Sequence, residues 1–381
     1  MFKEFFQDFL SRRKRNSPYH KYAVSRIFNL DIPLITGLLL LAGFGLLILF
    51  SASGKDWVLV GQQALKLLIA FGLMLILAQI PPTTYKQWAP YLYSICLLLL
   101  ILVLISGVVS KGSQRWLSLG LFRFQPSEIM KLALPLMLAW YFDGHDLPPN
   151  LKALFIAGIL IFFPVILVIK QPDLGTALMI AFASIGVLLL AGIPRWLFVT
   201  GLGAFLLSAP LLWYKMHDYQ RQRILTLFNP ERDPLGKGYH IIQSKIAIGS
   251  GGWLGKGWFG SGASQLSFLP EHTTDFIFAV ACEELGFIGV FIILCLFGFI
   301  LWRGLQITLM AQDTFSRLIA GSITLLFFIS ATVNMSMVSG LLPVVGVPLP
   351  LISYGGTAMV TFFASFGIVM SVHANRKLIS T

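Results

Sequence analysis

Apolar runs long enough to cross a bilayer recur from residue 32 almost to the end of this chain, and they leave few folds open. A membrane helix needs roughly 20 predominantly apolar residues. Ten runs near that length can be drawn, at about 32–51, 59–80, 89–110, 127–142, 151–170, 173–192, 194–214, 276–302, 315–340 and 351–373. In lipid every backbone polar group must be satisfied within the segment, so each run is expected to be a helix. The expected fold class is an all-α integral membrane protein of about ten transmembrane helices with one long extracytoplasmic loop, about 215–275. Composition agrees: 56% of the residues are hydrophobic and 12% charged, with a mean hydropathy of +0.81, more than a soluble domain requires. The organisation expected is a tail over 1–30, a polytopic membrane domain over 31–375 and a short tail over 376–381.

Basic residues orient the bundle. The N-terminal tail carries Lys3, Arg12, Arg13, Lys14, Arg15, Lys21 and Arg26. With that tail in the cytoplasm, Lys86, Lys152, Arg195, Arg303, Arg317, Arg376 and Lys377 fall on the same side, as the positive-inside rule asks. The opposing short loops hold Lys55, Lys111, Arg115, Arg123 and Lys170. Both termini are thus expected inside, with the loop around Arg115 and the long loop outside. Phe2, Phe5, Phe6, Phe9 and Leu10 share one helical face, which suggests a short helix on the inner leaflet; a disordered tail is the competing reading. The first apolar run starts late and many more follow, so no cleavable signal peptide is expected. The net charge of +12 follows from this orientation and from cations beside the membrane, so no nucleic acid is expected as a partner. Cys96, Cys282 and Cys295 have neither metal nor disulfide spacing and read as packing residues.

Polar groups at the edge of hydrocarbon carry the functional signal, because a charge there is expensive without a partner or a task. Asp275, in LPEHTTDFIFAV (269–280), stands where a polar segment meets an apolar run. It reads as a base at the outer mouth of the bundle or as a helix-initiating acid favoured by the dipole, with Thr273 or Thr274 as cap. Glu128 and Lys131 are spaced to share a helix face, as an internal salt bridge, a cavity lining, or both. Asp173, in KQPDLGT (170–176), suits a helix cap and could also join Asp275 around a cation or a sugar hydroxyl. Arg115 and Trp116, in KGSQRW (111–116), offer a planar fork for phosphate and a ring for a sugar; a solvated arginine beside an aromatic belt residue is the alternative. GSGGWLGKG (249–257) either presents backbone N–H groups to an anion or makes plain turns. Three prolines and repeated glycines in 340–356 break helix there and suggest a non-helical wall beside the site.

Five stretches, RFQPSEIMKLALPL, KQPDLGTAL, DPLGKGYHIIQSKIAIGSGGWLGKGW, LPEHTTDFIFAVACEELGFIGV and GLLPVVGVPLPLISYGGT, together resemble the SEDS family (shape, elongation, division and sporulation), and are closer to its elongation members than to its division members. The resemblance implies a ten-helix peptidoglycan glycosyltransferase that polymerises lipid II outside the cytoplasmic membrane. The implied partners are the nascent glycan strand, a class B penicillin-binding protein that crosslinks the product, and other elongation-complex membrane proteins. By the same match Asp275 falls at an essential aspartate, Glu128 and Lys131 at paired charges, and Arg115 and Asp173 at cavity-lining positions.

The chemistry would need a base for a sugar hydroxyl, assigned to Asp275, and cations for the departing diphosphate, assigned to Arg115, Lys131 and Lys245. Glu128 would orient Lys131 or the acceptor, and Trp116, Asp173 and Glu271 would contact substrate. A divalent cation, Mg or Mn, held by Asp275 and Asp173 is compatible with their oxygen ligands, although no metal motif demands it. A lipid flippase or transporter is the rival class, and a scaffold that recruits the crosslinking partner is a third. Against transport, the polar groups gather at the outer face and no internal repeat is visible.

Overall fold

The structure, a computed structural model, describes residues 30–110, 113–118, 123–215, 218–232, 237–260 and 271–375. The expected interfacial helix at 2–10 lies outside these residues. Each of the ten expected helices has a counterpart: α1 (Ile32–Ala52), α2 (Trp57–Ala78), α3 (Pro82–Ser106), α4 (Pro126–Asp143), α5 (Leu151–Lys170), α6 (Leu174–Leu190), α7 (Arg195–Lys215), α10 (Ile277–Met310), α11 (Thr314–Val338) and α12 (Thr357–Ala374). Seven of them (α1, α2, α3, α5, α10, α11 and α12) are long and apolar enough to span a membrane, and α6 is a shorter apolar helix. Two further helices, α8 (Asp218–Phe228) and α9 (Lys237–Ser250), stand inside the expected long loop, joined by a 3-10 turn at Pro230–Arg232. A small antiparallel sheet, β1 (Val108–Ser110), β2 (Ser113–Ser118) and β3 (Arg123–Phe124), occupies the link between α3 and α4.

Three helices differ from expectation at their bounds for physical reasons. The third begins at Pro82, because proline suits a first helical turn where its missing N–H costs nothing. It ends at Ser106 because Gly107 turns the chain into β1. The last helix starts at Thr357, leaving 339–356 non-helical as the prolines require. The eighth runs on to Met310, past a charge, because Arg303 finds a partner within the bundle. Its guanidinium forks onto Asp31, with Nη2–Oδ2 at 2.6 Å and Nε–Oδ1 at 3.1 Å. Asp31 also caps α1 through Leu34 N (2.9 Å) and meets His373 Nε2 at 3.3 Å, tying α1, α10 and α12 together at one end. At the same end Asp143 binds Lys86 and the backbone N of Phe315 (2.9 Å), which joins α3, α4 and α11.

Helices α4, α11 and α12 form the centre, with α12 on α2, α4 on α3, and α11 on α6 and α10. Peripheral helices present apolar side chains outward, such as Ile69, Ile105 and Phe155, as lipid contact allows.

The glycine-rich stretch solves a problem inside α10. Gly286 has φ +61° and ψ −157°, so the helix breaks there and its 287-to-283 and 288-to-284 hydrogen bonds cannot form. Residues 252–257 replace both. Gly252 O and Trp253 O accept from the N–H groups of Phe287 (2.9 Å) and Ile288 (3.3 Å). Lys256 N and Gly257 N donate to the carbonyls of Glu283 (2.9 Å) and Glu284 (3.1 Å). A Cβ at Gly255 would stand 2.1 Å from Glu284 O, so only glycine admits this approach. The N–H groups of Lys256 and Gly257, which the sequence offered to an anion, are therefore committed to this clasp.

Candidate active site

The end opposite the Asp31 cluster gathers most of the polar groups singled out in the sequence. Asp275 lies one residue before the cap of α10, which is Phe276 and makes no side-chain capping bond. Neither Thr273 nor Thr274 is that cap. Thr274 Oγ1 instead bonds Glu271 Oε2 at 2.8 Å, and Glu271 O accepts from Thr274 N (3.1 Å) and Phe276 N (3.2 Å), closing a tight turn.

Outside elements pin the turn one residue at a time. Thr273 O accepts from Tyr354 N (2.9 Å), Thr274 O from Ser353 Oγ (2.6 Å), and Asp275 O from Asn334 Nδ2 (2.9 Å). The same Asn334 amide donates to Val347 O at 2.7 Å, so α11 holds the turn and the proline-rich wall together. Asp275 is half-buried, and its side chain lies beside Gly346 in the wall, where a Cβ would stand 3.5 Å from Oδ2. The wall also reaches α6, where a Cβ on Gly175 would meet Val345 O at 2.4 Å.

Asp173 caps α6 and is buried. Its Oδ1 accepts from Thr176 N (3.2 Å), and its Oδ2 accepts from Thr176 Oγ1 (2.8 Å) and Gln125 Nε2 (3.1 Å). Arg115, projecting from β2, places Nη1 3.6 Å from the same Oδ2. Gln125 Nε2 also bonds Ser127 Oγ at 3.0 Å, so this cluster adjoins the first turn of α4. Glu128 lies in that turn and pairs with Lys131, Oε1 to Nζ at 2.7 Å. Both are buried, at 6% and 5% exposure, and Lys131 Nζ lies 6.0 Å from the Phe362 ring centroid. Glu128 Oε2 is buried and has no hydrogen-bond partner among the described residues. An unpartnered buried carboxylate oxygen is costly, so this atom retains capacity for a further donor.

The remaining candidates stand at the periphery. Trp116 is half-buried in β2 opposite Val108. Glu271 is exposed on the Asp275 turn. Lys245, exposed on α9, lies against Gly340, where a Cβ would meet its Cε at 2.2 Å; Ser244 Oγ docks the helix onto Val338 O at 2.8 Å. Among the described residues no group of three His, Cys, Asp or Glu side chains gathers to hold a metal ion.

Sequence reasoning passed over Lys66, Gln63, Asn334 and Tyr354, all bonded into this end, and the buried acids Glu283 and Glu284. A lysine inside an apolar run and paired acids early in a membrane helix were the available signals.

Comparison with known proteins agrees with this geometry. Residues 31–378 match the FtsW/RodA/SpoVE family of cell cycle proteins, and the chain belongs to that family. It is similar to the peptidoglycan glycosyltransferase MrdB of Escherichia coli K12, at 52% identity over 92% of this chain and 95% of the relative. It is also similar to the probable peptidoglycan glycosyltransferase FtsW of Trichlorobacter lovleyi, at 38% identity over 93% and 95%. Among solved structures, a chain of a peptidoglycan synthase complex that coordinates polymerization and crosslinking superposes with a TM-score of 0.81 at 34% identity, over 92% of this chain and 99% of that one. The rod shape determining protein RodA of Thermus thermophilus superposes at 0.70 with 29% identity, over 91% and 97%. The chain is a multi-pass membrane protein with the helical-bundle fold of these relatives.

Proposed function

We propose that this protein is a peptidoglycan glycosyltransferase that polymerises lipid II, with Asp275 as general base. One observation carries the assignment of the base. Three carbonyls in a row, of Thr273, Thr274 and Asp275, are fixed by groups from outside the turn, and Asp275, a half-buried residue, carries its Oδ2 beside Gly346. A base needs a fixed backbone and an accessible oxygen.

In the reaction an acceptor sugar hydroxyl attacks the anomeric carbon of the donor. Its proton passes to Asp275, the new glycosidic bond forms, and the bond to the polyprenyl diphosphate breaks with its electron pair leaving on phosphate oxygen. Arg115, Lys131 and Lys245 offset that charge. Glu128 holds Lys131, and its second oxygen accepts from an acceptor hydroxyl or amide. Trp116 and Glu271 contact the disaccharide-peptide at the rim.

A divalent cation, Mg or Mn, would add Lewis-acid stabilisation of the diphosphate. Asp173 fits that duty poorly, because Thr176, Gln125 and Arg115 already occupy its oxygens, so no step is routed through a metal. The site end faces outward and both termini lie in the cytoplasm, as the distribution of basic residues supports. The crosslinking partner is a class B penicillin-binding protein, consistent with the synthase complex that the chain resembles.

Purified protein supplied with lipid II in detergent tests this reading. The wild type forms glycan, whereas Asp275→Asn stays folded and loses activity by at least about 100-fold. Near-normal polymer from Asp275→Asn removes that residue from the chemistry. Labelled lipid II crossing sealed vesicles without polymer in detergent assigns the chain to transport instead.

A further inference from the structure

A charge in the interior of a membrane helix normally has a carboxylate partner or a task. Lys66 lies in the interior of α2, and among the described residues no carboxylate is within ion-pair distance of it. Its ammonium donates to Tyr354 Oη at 3.0 Å and lies 4.2 Å from the centroid of the same ring. Tyr354 Oη in turn donates to Gln62 Oε1 at 3.2 Å. Gln63, three residues before Lys66, donates from Nε2 to Ser353 O at 3.2 Å. Three polar side chains of α2 therefore end on residues 353 and 354.

Those two residues pass the restraint on. Tyr354 N and Ser353 Oγ hold the carbonyls of Thr273 and Thr274, the pair immediately before Asp275, and Ser353 Oγ is itself oriented by Leu349 N at 2.8 Å.

We infer that Lys66 is a positioning residue for Asp275, acting through Tyr354: the cation locks the tyrosine, and the tyrosine backbone sets the turn that aims the carboxylate. The inference rests on Asp275 being the base. Its ligand is internal, which explains how a lysine is tolerated at this depth. The aromatic face and the phenol oxygen take the place of a counter-ion.

The experiment pairs deuterium exchange at the Tyr354 amide with lipid II polymerisation kinetics, both on the full chain in detergent. Lys66→Met should speed exchange at Tyr354 by about tenfold, because the bond to Thr273 O then opens locally. It should lower kcat by about tenfold with KM within about twofold, the signature of a misplaced catalytic group rather than lost binding. Lys66→Arg should restore both. Tyr354→Phe keeps the ring but loses the phenol bonds, and should show smaller losses in the same direction; it decides the matter if Lys66→Met does not fold.

Unchanged exchange at Tyr354 in these variants overturns the inference. So does a raised KM at constant kcat, which would make Lys66 a substrate contact. Asp275→Asn run in parallel separates the two claims: if that variant remains active the catalytic reading fails, while the exchange data still judge the bracket by themselves.

Discussion

The buried glutamates among the described residues fall into two groups, and they are satisfied in different ways. Glu283 and Glu284, each 2% exposed, are closed by distant parts of the chain. Lys256 Nζ reaches Glu283 Oε1 at 2.6 Å, and Ser51 Oγ reaches Glu284 Oε1 at 2.6 Å while itself accepting from Phe259 N at 3.2 Å. Their backbone carbonyls are taken by the glycine clasp. Glu128 is buried to a similar degree, yet its carboxylate partner is Lys131 on its own helix, and Oε2 has no hydrogen bond among the described residues. Burial alone therefore does not mark a functional acid. An acid closed by long-range contacts holds the fold together, whereas one with a local partner and a spare oxygen keeps the ability to meet a substrate.

The sharpest way to break the contrast is at the clasp. Gly286→Ala puts a Cβ 2.3 Å from Gly255 N at a φ of +61°, so two backbones must separate. The cost should exceed about 3 kcal/mol, seen as loss of monodisperse protein in detergent. Gly72→Ala, in a helix where nothing lies within 4 Å, should be neutral or stabilising by up to about 1 kcal/mol. If both variants melt like the wild type, the clasp does not hold α10.

A second pair compares the acids directly. Glu283→Gln should lower stability by about 2 kcal/mol, because an ionic bond to a buried group is lost, while turnover per folded molecule is kept. Glu128→Gln should cost less stability and lower turnover at least about tenfold. Thermal melts and initial rates on the same preparations test this, and a reversed pattern would exchange the two roles. Lys131→Met leaves Glu128 as an uncompensated buried charge, so both stability, by about 3 kcal/mol, and rate should fall.

Much of the fold is legible in the sequence because lipid imposes one demand on every segment. All ten helices answer to apolar length, although three of them, α4, α6 and α7, fall outside the seven spans that length and hydropathy alone define. Asp275, Glu128, Lys131, Arg115 and Asp173 stand out for the related reason that a charge at a lipid boundary is costly. What is hidden is pairing. Nothing in the spacing ties Arg115 to Asp173 across three elements, or Asn334 to the carbonyl of Asp275. The glycine run was ambiguous, since an anion nest and a close backbone approach ask for the same residue. Lys66 is lost in the average of its apolar run. Helices α8 and α9 are hidden because they are too polar to register as membrane segments.

The smallest effect expected is also the one that best separates the two regions. Lys256 lies in the glycine-rich loop whose backbone N–H groups, read from the sequence, could face an anion. Its side chain is 42% exposed, whereas that of Glu283 is 3% exposed. Water around the ammonium weakens the pair toward the range of surface ion pairs, while the buried carboxylate raises the cost of removing its partner. The outcome should lie between those limits, at about 1 kcal/mol for Lys256→Met, and Glu283→Gln in the same chain should recover part of it, as a double-mutant cycle would reveal. Polymerisation should be untouched, because the N–H groups around Lys256 are spent on α10. A fall in rate without a fall in melting temperature would place this loop on the substrate, and the clasp would then be part of the active site rather than its support.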